Sequence, residues 1–321
     1  MDDRTMQAVL YDRYGGPDVL YVGRVPRPEP GPGEVLVRVR AVSVNGGELA
    51  VRSGRLRLLS GRGFPKRVGL DFTGEVAALG TGVTDLVAGE RVWGVVGRSS
   101  GLGSAAEYVA VPAQRVGRVP DGLDLVEAAA LPVATTAITA LRDKTRLRPG
   151  ERLLVRGAAG GVGNAAVQLG RSRGAEVTAL ARAANHDFVR GLGAHEVFDH
   201  RTTRPADLGR FDVVVDTAGT DLLAFRRLLR PGGRMTTIAF DLARPVSSLA
   251  SIAASTVHGR GRVRFFSGNP TRADLDDLAR HVVEGRLAPA VDTVFPLEEA
   301  AAAHRALEHG GVQGKHVIRV A

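Results

Sequence analysis

A chain of 321 residues is long for one hydrophobic core and suits two domains. At 44% hydrophobic and 24% charged residues it has a globular composition, and the lack of cysteine excludes disulfides, thiolate zinc sites, iron–sulfur clusters and a cysteine nucleophile. The net charge of +9 comes almost wholly from arginines spread along the whole chain, with aromatic residues at 5%, so no nucleic-acid partner is expected.

The N-terminal part reads as β-rich. Met6 to Tyr11 is a predicted strand, and Pro26 to Gly33 is a rigid, turn-rich connector. Glu34 to Val42 alternates with period two, as a half-buried strand does. Short strands are predicted at Asp71–Leu79, Arg91–Val96 and Ala106–Val111, separated by Gly and Pro clusters, which suggests a barrel-like β domain. Val126 to Leu141 is the longest nearly apolar stretch. It carries Glu127, Pro132 and Thr residues, and Arg142 closes it, so it predicts a helix and no membrane span. The N-terminus Met1-Asp2-Asp3-Arg4 shows no secretory signal, and the expected location is the cytoplasm.

Strands then alternate with helices. The strands are Arg152–Arg156, Glu176–Ala181, Glu196–Asp199, Asp212–Asp216, Arg234–Ala239 and Val263–Phe266, with helices such as Asn164–Arg173 and Asp187–Leu192 between them. That order predicts a doubly wound parallel sheet. Arg272–Glu284 and Glu298–Glu308 read as amphipathic helices, and Lys315–Val320 as a last strand. The expected fold class is therefore α/β: a β domain of residues 1–124 and 268–321 with a sheet domain of residues 125–267 inserted in it.

The apolar strand Leu153-Leu154-Val155 runs into Gly157-Ala158-Ala159-Gly160-Gly161-Val162-Gly163, and a helix follows. In this strand–turn–helix setting the glycines let the backbone approach a pyrophosphate, and the helix N–H groups face the phosphates. The second strand ends in Arg182, where an NAD site carries an acid for the ribose diol, and no acid follows until Asp187. An arginine there suits a 2′-phosphate, so NADPH is the expected cofactor. The histidines show no HExxH-like spacing, and no metal site is expected.

Several motifs, in order, resemble the medium-chain dehydrogenase/reductase superfamily in its zinc-free quinone oxidoreductase-like branch. They are Val42-Ser43-Val44-Asn45 with Arg52-Ser53-Gly54, Gly69-Leu70-Asp71-Phe72-Thr73-Gly74-Glu75-Val76, Pro132 to Leu141, Leu147-Arg148-Pro149-Gly150-Glu151 before the glycine turn, Leu192-Gly193-Ala194, and the ending Pro296-Leu297-Glu298-Glu299-Ala300 then Gly314-Lys315-His316-Val317. The resemblance implies a GroES-like β domain and a Rossmann domain, with the active site in the cleft between them. It also implies roles at matching positions. Asn45 and Thr136 would lie near the nicotinamide and are the catalytic candidates. Ala159, Gly160, Gly161, Val162 and Gly163 would hold the pyrophosphate, and Arg182, Asn185 and His200 the adenosine phosphate. Ala218, Gly219, Ile238, Ala239 and Phe240 would line the nicotinamide ribose, and Phe266, Ser267 and Lys315 would close the site. Asn45 stands near the first zinc-ligand position of the zinc-dependent relatives, and Leu70-Asp71 replaces their His-Glu pair.

There is one departure. Ala50 and Leu56 stand where quinone reductases of this branch often carry tyrosines, and Gly46-Gly47 replaces bulkier residues, so the expected pocket is wider and less aromatic. The implied reaction is hydride transfer from the nicotinamide to a quinone or to the activated C=C of an α,β-unsaturated carbonyl. Backbone N–H groups, cofactor hydroxyls or the Asn45 amide would stabilise the oxyanion. Glu48 and Arg52 read as surface residues, which leaves no side-chain acid. Three alternatives stay open: an enoyl reductase resembling polyketide enoyl-reductase domains, a tailoring enzyme without net redox change, and a non-catalytic NADPH-binding or RNA-binding protein. Val263 to Phe266 could form an exposed sheet edge, for which a homodimer is the working expectation.

Overall fold

The computed structural model describes residues 4–57, 63–97, 103–239 and 263–320. In chain order the strands are β1 (Thr5–Tyr11), β2 (Tyr21–Pro26), β3 (Glu34–Ser43), β4 (Lys66–Arg67), β5 (Asp71–Leu79), β6 (Arg91–Val95), β7 (Tyr108–Pro112), β8 (Val116–Arg118), β9 (Arg152–Arg156), β10 (Glu176–Ala181), β11 (Glu196–Asp199), β12 (Phe211–Asp216), β13 (Leu229–Thr237), β14 (Val263–Phe265), β15 (Val291–Pro296) and β16 (Lys315–Arg319). The helices are α1 (Gly46–Arg52), α2 (Leu125–Ala128), α3 (Ala134–Thr139), α4 (Gly161–Ser172), α5 (His186–Gly191), α6 (Leu222–Arg226), α7 (Arg272–Val283) and α8 (Ala300–His309).

The chain divides into two compact units. The first is Met1–Pro132, Asn269–Glu284 and Ala288–Ala321; the second is Val133–Gly268 and Gly285–Leu287. The first unit holds a small sheet in the order β2-β1-β4 and a larger one in the order β15-β16-β3-β5-β6-β8, with β7 also paired to β3. β3 is the hub. It pairs antiparallel with β5, β7 and β16, and its register against β5 shifts at Leu36/Val37 and Val39/Ala41. Such irregularities bend a strand and let a sheet curl on itself. The enclosed core is mostly valine, including Val35, Val37, Val39, Val76, Val92 and Val111. These β-branched side chains stand well on a pleated surface.

The second unit is a six-stranded sheet in the order β11-β10-β9-β12-β13-β14, with every neighbouring pair parallel. The order runs outward both ways from β9 and β12, so the switch point lies between the carboxyl ends of those two strands. β9 carries Leu153, Leu154 and Val155, all 0% exposed. Strands covered on both faces read as continuous apolar runs, and this one does.

The helix expected over 126–141 is broken. Asp124 caps α2 by accepting from Val126 N (2.8 Å) and Glu127 N (3.1 Å), and α2 ends at Ala128. The helix resumes at Ala134 as α3 and widens into a π turn over Ala140–Lys144. Pro132 accounts for the break, because it has no N–H to donate and its ring crowds the preceding turn. Among the described residues no helix is long and apolar enough to cross a membrane.

In the first unit α1 packs against α8 through charged groups. Arg52, 0% exposed, pairs with Glu308, and His304, also 0% exposed, lies near the Arg52 charge. Burial, reinforced by Arg52, holds the His304 pKa down at about 3, against an ordinary 6.5. The folded protein therefore binds fewer protons here than the unfolded chain between those two values. The stability from a neutral His304 is complete above the ordinary value and is lost as pH falls toward the folded one. Between about pH 7 and about pH 4.5 the wild type should lose more thermal midpoint than His304→Leu, which has nothing to protonate. Equal losses in a differential scanning experiment would contradict a buried neutral imidazole.

Candidate active site

The glycine turn joins β9 to α4. Gly157 has φ +70°, the left-handed region that glycine occupies without strain, and a Cβ there would lie 2.3 Å from Thr217 Oγ1. At Gly163 a Cβ would fall 2.0 Å from the Gly157 carbonyl oxygen, so only glycine lets the helix start this close to the turn. Gly160 occupies the N-cap of α4, and no side chain caps the helix. Asn164 Nδ2 instead donates to the Gly160 and Gly161 carbonyls at 3.1 and 3.0 Å, which fixes the turn from behind. Helix N–H groups left without side-chain partners, on a backbone clear of side chains, fit the pyrophosphate of a dinucleotide. Ala159 is buried, and Gly161 and Val162 are half-buried at the helix start.

The other residues expected in this unit collect along the same carboxyl edge. Arg182 follows β10 directly. His200 N donates to Ala181 O (3.2 Å) and Asn185 N to Arg182 O (2.8 Å), so Arg182, Asn185 and His200 share one corner. His200 is exposed there and Asn185 is buried. Ala218 and Gly219 follow β12, Ile238 and Ala239 follow β13, and Phe266 and Ser267 follow β14. Ile238 N reaches Asp216 O (3.1 Å) and Phe266 N reaches Thr237 O (3.3 Å), so these exits are stitched to one another. Thr136, on α3, lies at the same end: a Cβ on Gly268 would come within 2.6 Å of its Oγ1. Phe240 lies outside the described residues.

A charged pair not anticipated from the sequence anchors the switch point. Arg156, the last residue of β9, and Asp216, the last of β12, form an ion pair at 3.0 Å with side chains 8% and 0% exposed. Asp216 Oδ1 also accepts from Ala218 N (2.9 Å) and Gly219 N (3.2 Å), while Arg156 donates to Thr220 O (2.7 Å) and lies 3.6 Å over the Phe225 ring. Burial pushes the Asp216 pKa up, and Arg156 with the two backbone N–H groups opposes that rise. The loop carrying Ala218 and Gly219 is thus shaped by a carboxylate whose partner sits next to the glycine turn.

Asn45 and Lys315 belong to the first unit, where they meet in a buried polar network. Lys315 Nζ donates to Val44 O (2.6 Å) and Asn45 Oδ1 (2.8 Å). Asn45 Nδ2 faces Ser43 O (3.0 Å), Glu48 Oε1 (3.0 Å) and Asp71 Oδ2 (3.1 Å). Asp71 further accepts from Ser43 N (2.8 Å) and Ser43 Oγ (2.6 Å), and Glu48 Oε2 from Gly69 N (2.9 Å). Ser43, Asn45, Glu48, Asp71 and Lys315 are each at most 7% exposed. Burial, with the Asp71 charge, lifts the Glu48 pKa to about 7, against the pull of Asn45, Gly69 N and Lys315. Burial lowers the Lys315 pKa, opposed by Asp71 and Glu48.

Two expectations are corrected here. Glu48 and Arg52 are not surface residues; they are 2% and 0% exposed, because α1 turns their face inward toward Gly69, Asp71 and α8. Nor has Asn45 an amide hydrogen to spare for a substrate. Its Nδ2 already faces three acceptors, and Lys315 requires the oxygen of the amide to point its way. The sequence signal for Glu48 was its place on the same short helix that Asn45 begins, but the groups that bury it come from β5 and β16.

Comparison with known proteins agrees with this architecture. Residues 31–121 match the alcohol dehydrogenase GroES-like domain family, and residues 192–318 match the zinc-binding dehydrogenase family. The chain is 31% identical over 332 residues to the chloroplast envelope quinone oxidoreductase homolog of Arabidopsis thaliana, covering 99% of both chains. The chain belongs to the medium-chain dehydrogenase/reductase superfamily and is quinone oxidoreductase-like. The quinone oxidoreductase from Coxiella burnetii superposes with a TM-score of 0.87 at 29% identity, covering 99% of this chain and 100% of that one. A mycocerosic acid synthase-like polyketide synthase of Mycobacterium tuberculosis is 34% identical over 317 residues, which are 92% of this chain but only 14% of that protein. Members of the superfamily bind a nicotinamide cofactor, and the parallel-sheet unit described above is its Rossmann-like part.

Gly163→Ala tests the cradle. The added methyl must displace either the Gly157 carbonyl or the start of α4. The expected result is a dinucleotide dissociation constant raised about tenfold or more, with about 1–3 kcal/mol of lost stability. Fluorescence titration beside urea unfolding measures both, and unchanged affinity would count against the turn as the phosphate site.

Proposed function

We propose that the protein is a zinc-independent, NADPH-dependent reductase that delivers hydride to a quinone or to the activated C=C of an α,β-unsaturated carbonyl. The observation that carries this reading is the Lys315–Asn45–Glu48–Asp71 network. In the zinc-dependent relatives a position near Asn45 and the pair at Leu70-Asp71 supply metal ligands. Here Asn45 stands near the first of them, Leu70-Asp71 replaces the His-Glu pair, and cysteine is absent from the sequence. Asp71 and Glu48 are already hydrogen-bonded to Ser43, Asn45 and Gly69 N, and the cation among them is the Lys315 ammonium. Among the described residues no group of three or more His, Asp or Glu is arranged to hold a metal. A donor set of this kind does not suit zinc, whose sites draw on Cys, His and carboxylates with free lone pairs.

Bound NADPH would supply the hydride. The chain would supply the rest: α4 and its glycine turn for the pyrophosphate, Arg182 with Asn185 and His200 for the adenosine 2′-phosphate, and hydrogen-bond donors for the charge on the substrate oxygen. Arg182 at the end of β10, where an NAD site carries an acid, supports NADPH. A homodimer through β14 fits its place at the sheet edge and the 40% exposure of Phe265.

A second reading, an enoyl reductase acting on a bulkier acyl substrate, draws support from α1. Among the described residues a Cβ built on Gly46 or Gly47 meets nothing within 4 Å, which leaves room at the start of that helix. The likeness to a polyketide synthase segment points the same way.

A panel of quinones, simple enones and enoyl thioesters, followed by NADPH oxidation, separates the readings. Turnover of quinones or enones supports the first, and turnover of thioesters alone supports the second. Silence throughout, with intact NADPH binding, overturns both. Arg182→Ala should weaken NADPH about 10–100-fold and leave NADH binding nearly unchanged; equal loss for both would remove the 2′-phosphate role.

A further inference from the structure

We propose that Arg156 is a positioning residue for the nicotinamide half of the dinucleotide, because it holds the loop of residues 217–221 in the form which that half meets. This rests on the reading of Ala218 and Gly219 as contacts on that side of the cofactor. Resemblance gave Arg156 no role, and no motif or spacing set it apart in the sequence.

The sheet order supplies the geometry. The glycine turn leaves β9, with β10 and β11 on one side of it and β12 and β13 on the other. A pyrophosphate seated on that turn sends its two halves to opposite sides of β9. The corner of Arg182, Asn185 and His200 lies on the β10 side. The loop of residues 217–221 lies on the β12 side, between β12 and α6.

That loop is strained. Gly219 has φ +76°, and Asp221, at φ +50°, is one of two non-glycine residues in the left-handed region among the described residues. A side chain there is disfavoured, and the conformation persists only where its surroundings fix it. The fixing groups converge on Arg156. Ala218 N and Gly219 N donate to Asp216 Oδ1 at 2.9 and 3.2 Å, and Arg156 pairs with that same carboxylate. Thr217 Oγ1 donates to Arg156 O (2.7 Å). Thr220, next to Asp221, receives Arg156 Nη1 at its carbonyl (2.7 Å) and Nη2 at its hydroxyl (3.2 Å). The guanidinium also lies over Phe225 on α6, and the Asp221 charge acts on it after that of Asp216.

One side chain thus grips the loop at both ends. Thr237 Oγ1, at the end of β13, reaches Asp216 Oδ2 (3.3 Å), so the exits of β9, β12 and β13 share one carboxylate. Arg156 is 7% exposed, whereas Ala218 and Thr220 are exposed, so it acts through the loop and not by touching a ligand. A lysine could answer the Asp216 charge. It has no planar fork with which to reach Thr220 and cover an aromatic ring at once.

The test uses the full-length protein and calorimetric titration with a whole dinucleotide and with its adenosine half. The pair is NADPH with 2′,5′-ADP, or NADH with ADP where the wild type prefers NADH; that preference tests the NADPH reading, and the variants test Arg156. Arg156→Lys should raise the dinucleotide dissociation constant about tenfold and leave that of the adenosine half within about twofold of wild type. The double variant Arg156→Met/Asp216→Asn removes both buried charges and keeps an acceptor for Ala218 N and Gly219 N, and it should show the same split. Equal losses for the dinucleotide and its half would place the damage at the glycine turn and overturn the proposal. Unchanged affinities with a lowered thermal midpoint would do so too, as the mark of a purely structural ion pair. A wild type that binds neither dinucleotide overturns this proposal together with the reductase reading. Tight binding without turnover of any quinone, enone or thioester sinks the reductase reading alone.

Discussion

A buried ammonium has to find acceptors, and in this protein that requirement joins the two ends of the chain. Lys315 reaches the Val44 carbonyl across 271 positions, and the strand that carries it pairs with β3 at Val317↔Ser43. The β-rich unit is therefore incomplete until β16 returns, which is why the sheet unit sits as an insertion rather than as a following domain. The same contact creates the polar network. Without Lys315 the carboxylates of Glu48 and Asp71 would face each other with only amides and hydroxyls between them, an arrangement that buried charge does not tolerate cheaply. Closure of the β-rich unit and its buried polar network thus meet at one side chain.

The second unit presents backbone rather than side chains after β9: an uncapped helix start at Gly160 and a turn that glycine alone permits. Its rigidity comes from behind, through the Arg156–Asp216 pair and the Asn164 amide. A pair with side chains 8% and 0% exposed adds little net stability against apolar replacements, but it fixes direction. Here it sets the loop at Ala218 and Gly219 in register with the end of β9.

Legibility in the sequence followed the range of the interactions. β9 and β10 could be read to the residue, because strands buried on both faces are apolar runs flanked by turns, and β11 was read to the residue although it is a half-exposed edge strand. The glycine turn was equally clear, since its requirements are local. The helix over 126–141 was misread because its apolar character is real while Pro132 breaks the backbone. The edge and bridging strands β2, β4, β8 and β15 escaped, being short or half-exposed with no clean alternation. Glu48 and Arg52 were misplaced for a deeper reason. Nothing within a few residues of either says that it is buried; the groups that receive them are Gly69, Asp71, His304 and Glu308.

The match to a family described as zinc-binding dehydrogenases sharpens what this chain has done with the inherited position. A divalent metal and an ammonium both answer negative charge, but they are not equivalent. A metal polarises a carbonyl from any open coordination site and keeps its charge throughout. An ammonium acts along a fixed N–H direction, needs its other hydrogens anchored, and can give a proton away. Alcohol oxidation calls for the first property, because an alkoxide must be held while hydride leaves. Reduction of an enone or quinone calls for the second, because the product anion must be quenched. Lys315 donates to Val44 O and Asn45 Oδ1, and burial disfavours its charge while Asp71 and Glu48 oppose that effect. That arrangement is assembled from residues contributed by β3, α1, β5 and β16, far apart in sequence.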